Sequence, residues 1–337
     1  MPTIVLDAEG GTHAPAAPVA AAAAVSLDTT ANFDVILVGD PAAIDRELSR
    51  RSHNAERIRV RPAPFGQAVE HAAEIVRGHG GDALVTACDP PRAIRACLSH
   101  FGLVGSLRRA PLCAVYPALP RPGHDDPFAL ILDVGATFRP TADDFVTWAR
   151  MGAAYAQHVS KIDAPTVGLL SVGRDPRVGP PELVEAHRRL ESDSSLRYVG
   201  TVEGLDIPRG AADVIVCDGF TGQVVVGLLG GVGDALVSMA KGAYRTRTTW
   251  RVGLKLLEDA VVRFHEVVEH KAYGGAPLLG LDRVAILALP GSQAGSLANA
   301  CRLAAKAVEA EMPKALGLAL RNARDASGHI DDPAAGG

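Results

Sequence analysis

The residues best suited to chemistry in this chain stand directly after short β-branched runs, where glycine and acidic side chains recur together. Asp7-Ala8-Glu9-Gly10-Gly11-Thr12-His13 follows the first run, Asp133-Val134-Gly135-Ala136-Thr137 a middle one, and Asp218-Gly219-Phe220-Thr221-Gly222 a later one. Gly173-Arg174-Asp175 with Arg177 close behind, Tyr273-Gly274-Gly275 and Gly291-Ser292 complete the set. Glycine lets main-chain N–H groups approach an anionic or carbonyl-bearing ligand with no side chain in the way, and it also simply makes tight turns. His13 is the candidate proton carrier, because an imidazole exchanges protons near neutral pH; its other role is a loop-locking hydrogen bond. Asp7, Asp133 and Asp218 close their runs and either orient a loop and a substrate group or cap the helix that follows. Asn299 has the same pair of roles, holding a substrate or capping.

Other chemistries are excluded by spacing. GxGxxG is absent, no Lys precedes Ser or Thr, and GxSxG is absent, so the chain carries no dinucleotide fingerprint, Walker A loop or hydrolase elbow. His265-Glu266-Val267-Val268-Glu269-His270 has metal-like i,i+4 spacing but is not HExxH, and reads as a solvated helix face. No cofactor or metal is expected. Cys88 lies beside Asp89, a setting that raises a thiol pKa, so a cysteine nucleophile is disfavoured. The five cysteines are odd in number and lack CxxC spacing, which fits free thiols in a reducing cytoplasm.

The elements that must position these loops alternate. The runs Thr3 to Leu6, Asp34 to Val38, Ala83 to Ala87, Phe128 to Val134, Thr166 to Val172, Arg197 to Val202, Asp213 to Cys217 and Val284 to Leu289 predict strands, with helical periodicity between them. Val69, Ala72, Ala73 and Val76 mark one helix face, and Leu183, Ala186 and Leu190 another. That alternation predicts an α/β protein with a doubly wound, mostly parallel sheet in three layers, whose ligands sit beyond the carboxyl ends of the strands. Thr12 to Pro18, Pro117 to Pro127 and Gly173 to Pro181 read as loops, and a helical arm is expected over about 234–271. The domain is expected to span 1–323, with a frayed tail over 324–337. At 337 residues, 47% hydrophobic, the chain has material for a large core, and a net charge of -4 with no basic excess disfavours nucleic-acid binding. The most apolar stretch, Val224 to Ala240, is broken by Gly and Asp234 and is too short to span a bilayer.

Six loops in their order resemble the phosphate acyltransferase (PlsX) family: Asp7 to Pro15, Leu132 to Ala136, Met151 to Ala156, Val167 to Gly173, Asp218 to Gly222 and Tyr273 to Gly280. The resemblance runs from about Thr3 to Leu320. It implies a three-layer fold like isopropylmalate dehydrogenases and phosphotransacetylases, a homodimer, and weak peripheral contact with membranes. It further implies transfer of a fatty acyl group from acyl-carrier protein, or another acyl thioester, to inorganic phosphate, giving acyl phosphate for phospholipid synthesis. Catalysis would fall to His13, Asp7 and Asp218. Substrate binding would fall to Gly10, Gly11, Asp133, Gly135, Arg174, Arg177, Gly219, Thr221, Gly222, Tyr273, Gly274, Gly275, Ser292 and Asn299, with backbone N–H groups of Gly10-Gly11 and Gly219 to Gly222 as oxyanion donors.

The departures from the family pattern fall on polar positions. Glu9 replaces Met, Thr86 to Ala93 replaces a Ser-Ala-Gly-Asn-Thr-Gly-Ala loop, Val178 and Gly227 replace Lys, and a basic stretch has no counterpart near Phe65 to Val69. Pro90 and Pro91 remove two backbone donors, while Arg92, Arg174 and Arg177 offer replacement charge. An acyltransferase with another donor or acceptor and a non-catalytic carrier-binding scaffold therefore stand as alternatives.

Overall fold

The computed structural model describes residues 1–105, 107–119, 128–246 and 274–327. Eleven strands in these segments form two sheets. The first contains β1 (Thr3–Asp7), β2 (Asp34–Gly39), β3 (Ile58–Pro62), β4 (Ala83–Thr86), β10 (Ala276–Pro277) and β11 (Val284–Leu287), in the order β10-β11-β4-β1-β2-β3. The second contains β5 (Cys113–Pro117), β6 (Phe128–Leu132), β7 (Thr166–Leu170), β8 (Arg197–Val202) and β9 (Val214–Val216), in the order β5-β6-β9-β7-β8. All pairings are parallel except β10 with β11 and β5 with β6, each of which puts an antiparallel strand at a sheet edge. Those two edges meet through a bridge between Leu112 and Leu278.

Helices cover both faces of each sheet. On one side lie α1 (Ala16–Leu27), α2 (Pro41–Leu48), α5 (Ala142–His158), α6 (Pro181–Glu191), α8 (Ala294–Glu309) and α9 (Met312–Ser327); their apolar side chains share one continuous cluster with alternate strand residues such as Ile4, Leu6, Leu132 and Val214. The opposite strand residues, among them Val5, Ile36, Leu84, Ile131 and Ile215, pack with α3 (Ala68–Arg77), α4 (Pro90–His100) and α7 (Gly219–Thr246). This two-faced burial is why the strands read as nearly uninterrupted apolar runs. It gives the three layers expected. The helix α5 carries the heaviest load: Thr141 and Asp144 form a reciprocal cap at its start, and Trp148, Met151 and Tyr155 are fully buried along it.

All eight expected strands form, together with three that the sequence pattern does not announce. β3 alternates Ile58 and Val60 with exposed Arg59 and Arg61 at a sheet edge, β5 runs into the segment expected as a loop, and β10 is only two residues long. Helix starts also differ. α1 begins at Ala16, inside the expected Thr12 to Pro18 loop, and α7 begins at Gly219, so the Gly-rich motif there is a helix's first turn. α9 carries helix on to Ser327, four residues into the expected tail. Residues 106, 120–127, 247–273, with most of the expected arm, His265 to His270 and Tyr273, and 328–337 lie outside the described residues. No helix among the described residues is long and apolar enough to cross a membrane.

Candidate active site

Asp7 ends β1 fully inside the sheet's crest. Its Oδ1 accepts the N–H groups of Glu9 (2.9 Å) and Gly10 (3.0 Å), and its Oδ2 accepts the Thr86 hydroxyl (2.7 Å) from the end of β4. Burial raises this carboxyl above its usual range, opposed by the Thr86 hydroxyl and the two N–H groups. Gly10 is required by closeness: a Cβ there would lie 2.5 Å from Asp7 Oδ2 and 2.8 Å from the Cys88 nitrogen. Asp7 is therefore a buried loop holder, and the Gly10 N–H is bound to it. Thr86, which the sequence marks only as the first residue of the divergent Thr86 to Ala93 loop, is its side-chain partner.

The same loop is tied to the β11–α8 connection. The Thr12 N–H (2.8 Å) and hydroxyl (3.2 Å) both donate to the Pro290 carbonyl, and Gly11, at φ +93°, lies so close that a Cβ would sit 2.9 Å from that oxygen. Its positive φ and the crowding both call for glycine. The tie brings the starts of α1 and α8 together around an open cleft of about 450 Å³ lined by His13, Ala14, Ala16, Ala17, Gln293 and Ala294. The His13 ring is exposed and makes no hydrogen bond to any described residue, so it is not a loop lock. Neither helix has a side-chain cap. The N–H groups of Ala16, Ala294, Gly295 and Ser296 have no acceptor among the described residues, which leaves two positive helix ends beside one imidazole.

Ser292 is buried behind this cleft, its N–H bound to the Leu289 carbonyl (2.9 Å). Gly274 presses on the α8 backbone, where a Cβ would come within 2.3 Å of the Ala300 nitrogen, and Gly275 packs on Ile286 and Leu287 of β11. Asn299 lies more than a turn inside α8 and accepts from Arg302 (2.7 Å), so it does not cap the helix.

The second sheet repeats the Asp-loop device. Asp133, fully buried at the end of β6, accepts the N–H groups of Leu112 (2.9 Å), Gly135 (3.2 Å) and Ala136 (3.0 Å) on Oδ1 and that of Thr137 (2.5 Å) on Oδ2. Burial pushes its carboxyl up to about 6 in spite of these four donors. The start of α7 lies against this loop: a Cβ on Gly219 would meet Asp133 Oδ2 at 2.8 Å, and one on Gly222 would meet the Asp133 carbonyl oxygen at 1.9 Å. Asp218 caps α7, taking the Thr221 N–H (2.9 Å) on Oδ1 and the Thr221 hydroxyl (2.6 Å) on Oδ2, the capping role that the sequence offers it. The Gly219 N–H donates to Thr137 (2.8 Å) and the Gly222 N–H to Asp218 (2.9 Å). These two amides, among those expected as oxyanion donors, bond within the loop.

The three candidate replacement cations are also engaged. Arg92 makes a two-pronged contact with Glu70 (3.0 and 2.7 Å) and donates to the Gly66 carbonyl. Arg174 reaches Asp206 (3.2 Å), and Arg177 grips Asp175 (3.0 and 2.9 Å). Burial pushes the Cys88 thiol up to about 11, consistent with its exclusion as a nucleophile, although the largest cause is desolvation and not the neighbouring Asp89. Among the described residues no group of His, Cys, Asp and Glu is arranged to hold a metal ion.

A model of the fatty acid synthesis protein family matches residues 2–315. The chain belongs to this family. The phosphate acyltransferase of Synechocystis sp. is 32% identical over 322 residues, covering 91% of this chain and 90% of that one. The phosphate acyltransferase of Brevibacillus brevis is 31% identical over 332 residues, covering 94% and 97%. This family member is an acyltransferase. Among solved structures, the EutD phosphotransacetylase of Staphylococcus aureus (TM-score 0.58) and a phosphotransacetylase of Streptococcus pyogenes (0.59) each cover 91% of the chain at 12% identity, which places the fold beside the phosphotransacetylases.

Proposed function

We propose that this acyltransferase moves an acyl group from an acyl-carrier-protein thioester to inorganic phosphate, releasing acyl phosphate and the free carrier thiol. The observation that carries the reading is the convergence, in one open cleft, of His13 with N–H groups at two helix starts that have no acceptor among the described residues. Helix N-termini are suited to phosphate because their N–H groups and dipoles favour negative charge. A phosphate oxygen attacks the thioester carbonyl carbon and the carbon–sulfur bond breaks. The phosphate's proton passes to His13, and His13 returns it to the departing thiolate. Positioning and electrostatics supply the rest, and each preorganised donor to the developing oxyanion is worth about 3 kcal/mol.

In this account Asp7, Asp133 and Asp218 position loops, Gly11 lets the Thr12 turn close on Pro290, and Gly274 and Gly275 let their segment pack on α8 and β11. Residues 1–323 act as one cytoplasmic α/β unit. The exposed ridge of Phe220, Val224, Leu228, Val232, Leu236 and Met239 along α7, three or four residues apart and each at least 50% exposed, is the surface for a second copy.

The pairing of Arg92, Arg174 and Arg177 with carboxylates favours a second reading, in which the acceptor is a nucleophile other than phosphate. The two are separated by mass spectrometry of the purified protein with acyl-carrier thioester and phosphate. Acyl phosphate supports the first, and carrier thiol released only when another nucleophile is supplied supports the second. His13→Ala is expected to lower turnover at least about 100-fold with the melting temperature unchanged, because the ring is exposed and unbonded.

A further inference from the structure

The segment joining β3 to α3 stands out on the carboxyl end of the first sheet. Phe65 is 96% exposed, more than any other large apolar side chain among the described residues, yet the backbone around it is pinned. The Gly66 N–H donates to Glu9 Oε2 (2.9 Å), the Gly66 carbonyl accepts from Arg92, the Ala63 N–H donates to Gly39 (3.1 Å), and the Gln67 N–H donates to Pro64 (2.9 Å). Arg92 is itself fixed by Glu70. An isolated exposed apolar residue is ordinary on a protein surface, but an aromatic ring on a loop ordered by charged anchors has already lost the freedom that binding would otherwise take from it. Aromatic side chains so placed are the usual energetic centres of interfaces.

The surroundings specify charge. Arg59 and Arg61 alternate with Ile58 and Val60 on the edge strand β3, and they pair in register with Ile36 and Val38, so they leave the sheet on the face that α3 covers. Arg61 and Arg95, the latter on α4 packed beside α3, are exposed and have no carboxylate partner among the described residues. The acids of this layer do not cancel them: Glu70 is taken by Arg92, and the exposed Glu74 of α3 and Asp89 at the start of α4 stand against exposed Arg59, Arg61, Arg77 and Arg95. Glu9, which anchors Gly66, belongs to the loop that carries Gly10 to His13, so the patch adjoins the candidate cleft.

Resting on the proposed donor, we propose that this face docks the acyl-carrier protein through the carrier's acidic surface, with Phe65 as the apolar anchor and Arg61 and Arg95 as counter-charges. The test uses the full chain and needs no turnover. Labelled apo acyl-carrier protein is titrated against wild type, Phe65→Ser and Arg61→Glu at low and high salt, with melting temperatures measured alongside. The expected result is a Kd raised at least about 10-fold in each variant, a weaker salt dependence for Arg61→Glu, and unchanged melting temperatures. In parallel, transfer to phosphate from a short acyl-pantetheine thioester, which lacks the protein, is expected to be the same in all three. A Kd within about twofold of wild type in both variants overturns the docking surface, as does absence of carrier binding by the wild type. An equal loss with the short thioester also overturns it, because Phe65 would then act on the chemistry. Failure of the wild type to transfer from the short thioester while carrier binding is still lost in the variants overturns the phosphate reading and leaves the docking surface supported.

Discussion

Replacing Asp133 by Asn removes one charge from the most heavily bonded carboxylate in the second sheet while keeping its shape. The wild-type carboxyl holds its proton up to about 6, against 3.8 in an exposed setting, because burial penalises the charge more than the four N–H donors favour it. The folded protein therefore binds this proton more tightly than the unfolded chain. Its contribution to stability is fully present below 3.8 and is lost as pH rises through about 6. Between about pH 4 and pH 7 the loss from this group amounts to about 2 kcal/mol, from about 1.36 kcal/mol per pKa unit. The substituted side chain cannot titrate, but its amide points a donor at the Thr137 N–H, a pH-independent cost of about 2 kcal/mol. Urea unfolding across this range reads both effects. The gap between wild type and Asp133→Asn is expected to be widest near pH 4 and to close by about 2 kcal/mol at about pH 7. Parallel pH profiles would refute the assignment of a raised, proton-binding Asp133.

Two further substitutions test the loop architecture. Gly222→Ala puts a methyl 1.9 Å from the Asp133 carbonyl oxygen, which is backbone and cannot give way, so a loss of about 4 kcal/mol or more is expected in denaturant melts. Thr86→Val, nearly isosteric and fully buried, removes the donor to Asp7 and the acceptor of the Cys88 N–H; a loss of about 3 kcal/mol is expected, and an unchanged midpoint would show that Asp7 does not depend on it.

Much of this architecture is legible in the sequence, for a physical reason. Strands covered on both faces must be apolar throughout, so β1, β2, β4, β6, β7, β9 and β11 announce themselves as runs. β3 hides because an edge strand tolerates Arg59, Arg61 and Pro62, and β10 because two residues carry no period. The Asp-Gly loops at strand ends are equally visible, but their roles are not. Whether an N–H is free or spent depends on where a distant chain segment comes to lie. Asp7 meets Thr86 from 79 residues away, and Arg92 meets Glu70 across 22, and neither encounter leaves a trace in local spacing. His13 is exposed and its ring bonds to no described residue, whereas Asp7 and Asp218, equally good candidates by type, each hold a loop.

The central claim, that the His13 cleft carries acyl transfer to phosphate, is tested most directly by one comparison. Wild type and His13→Ala, both shown to be folded, are incubated with acyl-carrier thioester and inorganic phosphate, and acyl phosphate and carrier thiol are followed by mass spectrometry. The account predicts equal amounts of both products from the wild type and at least about 100-fold less from the variant. Undiminished acyl phosphate from His13→Ala would contradict it.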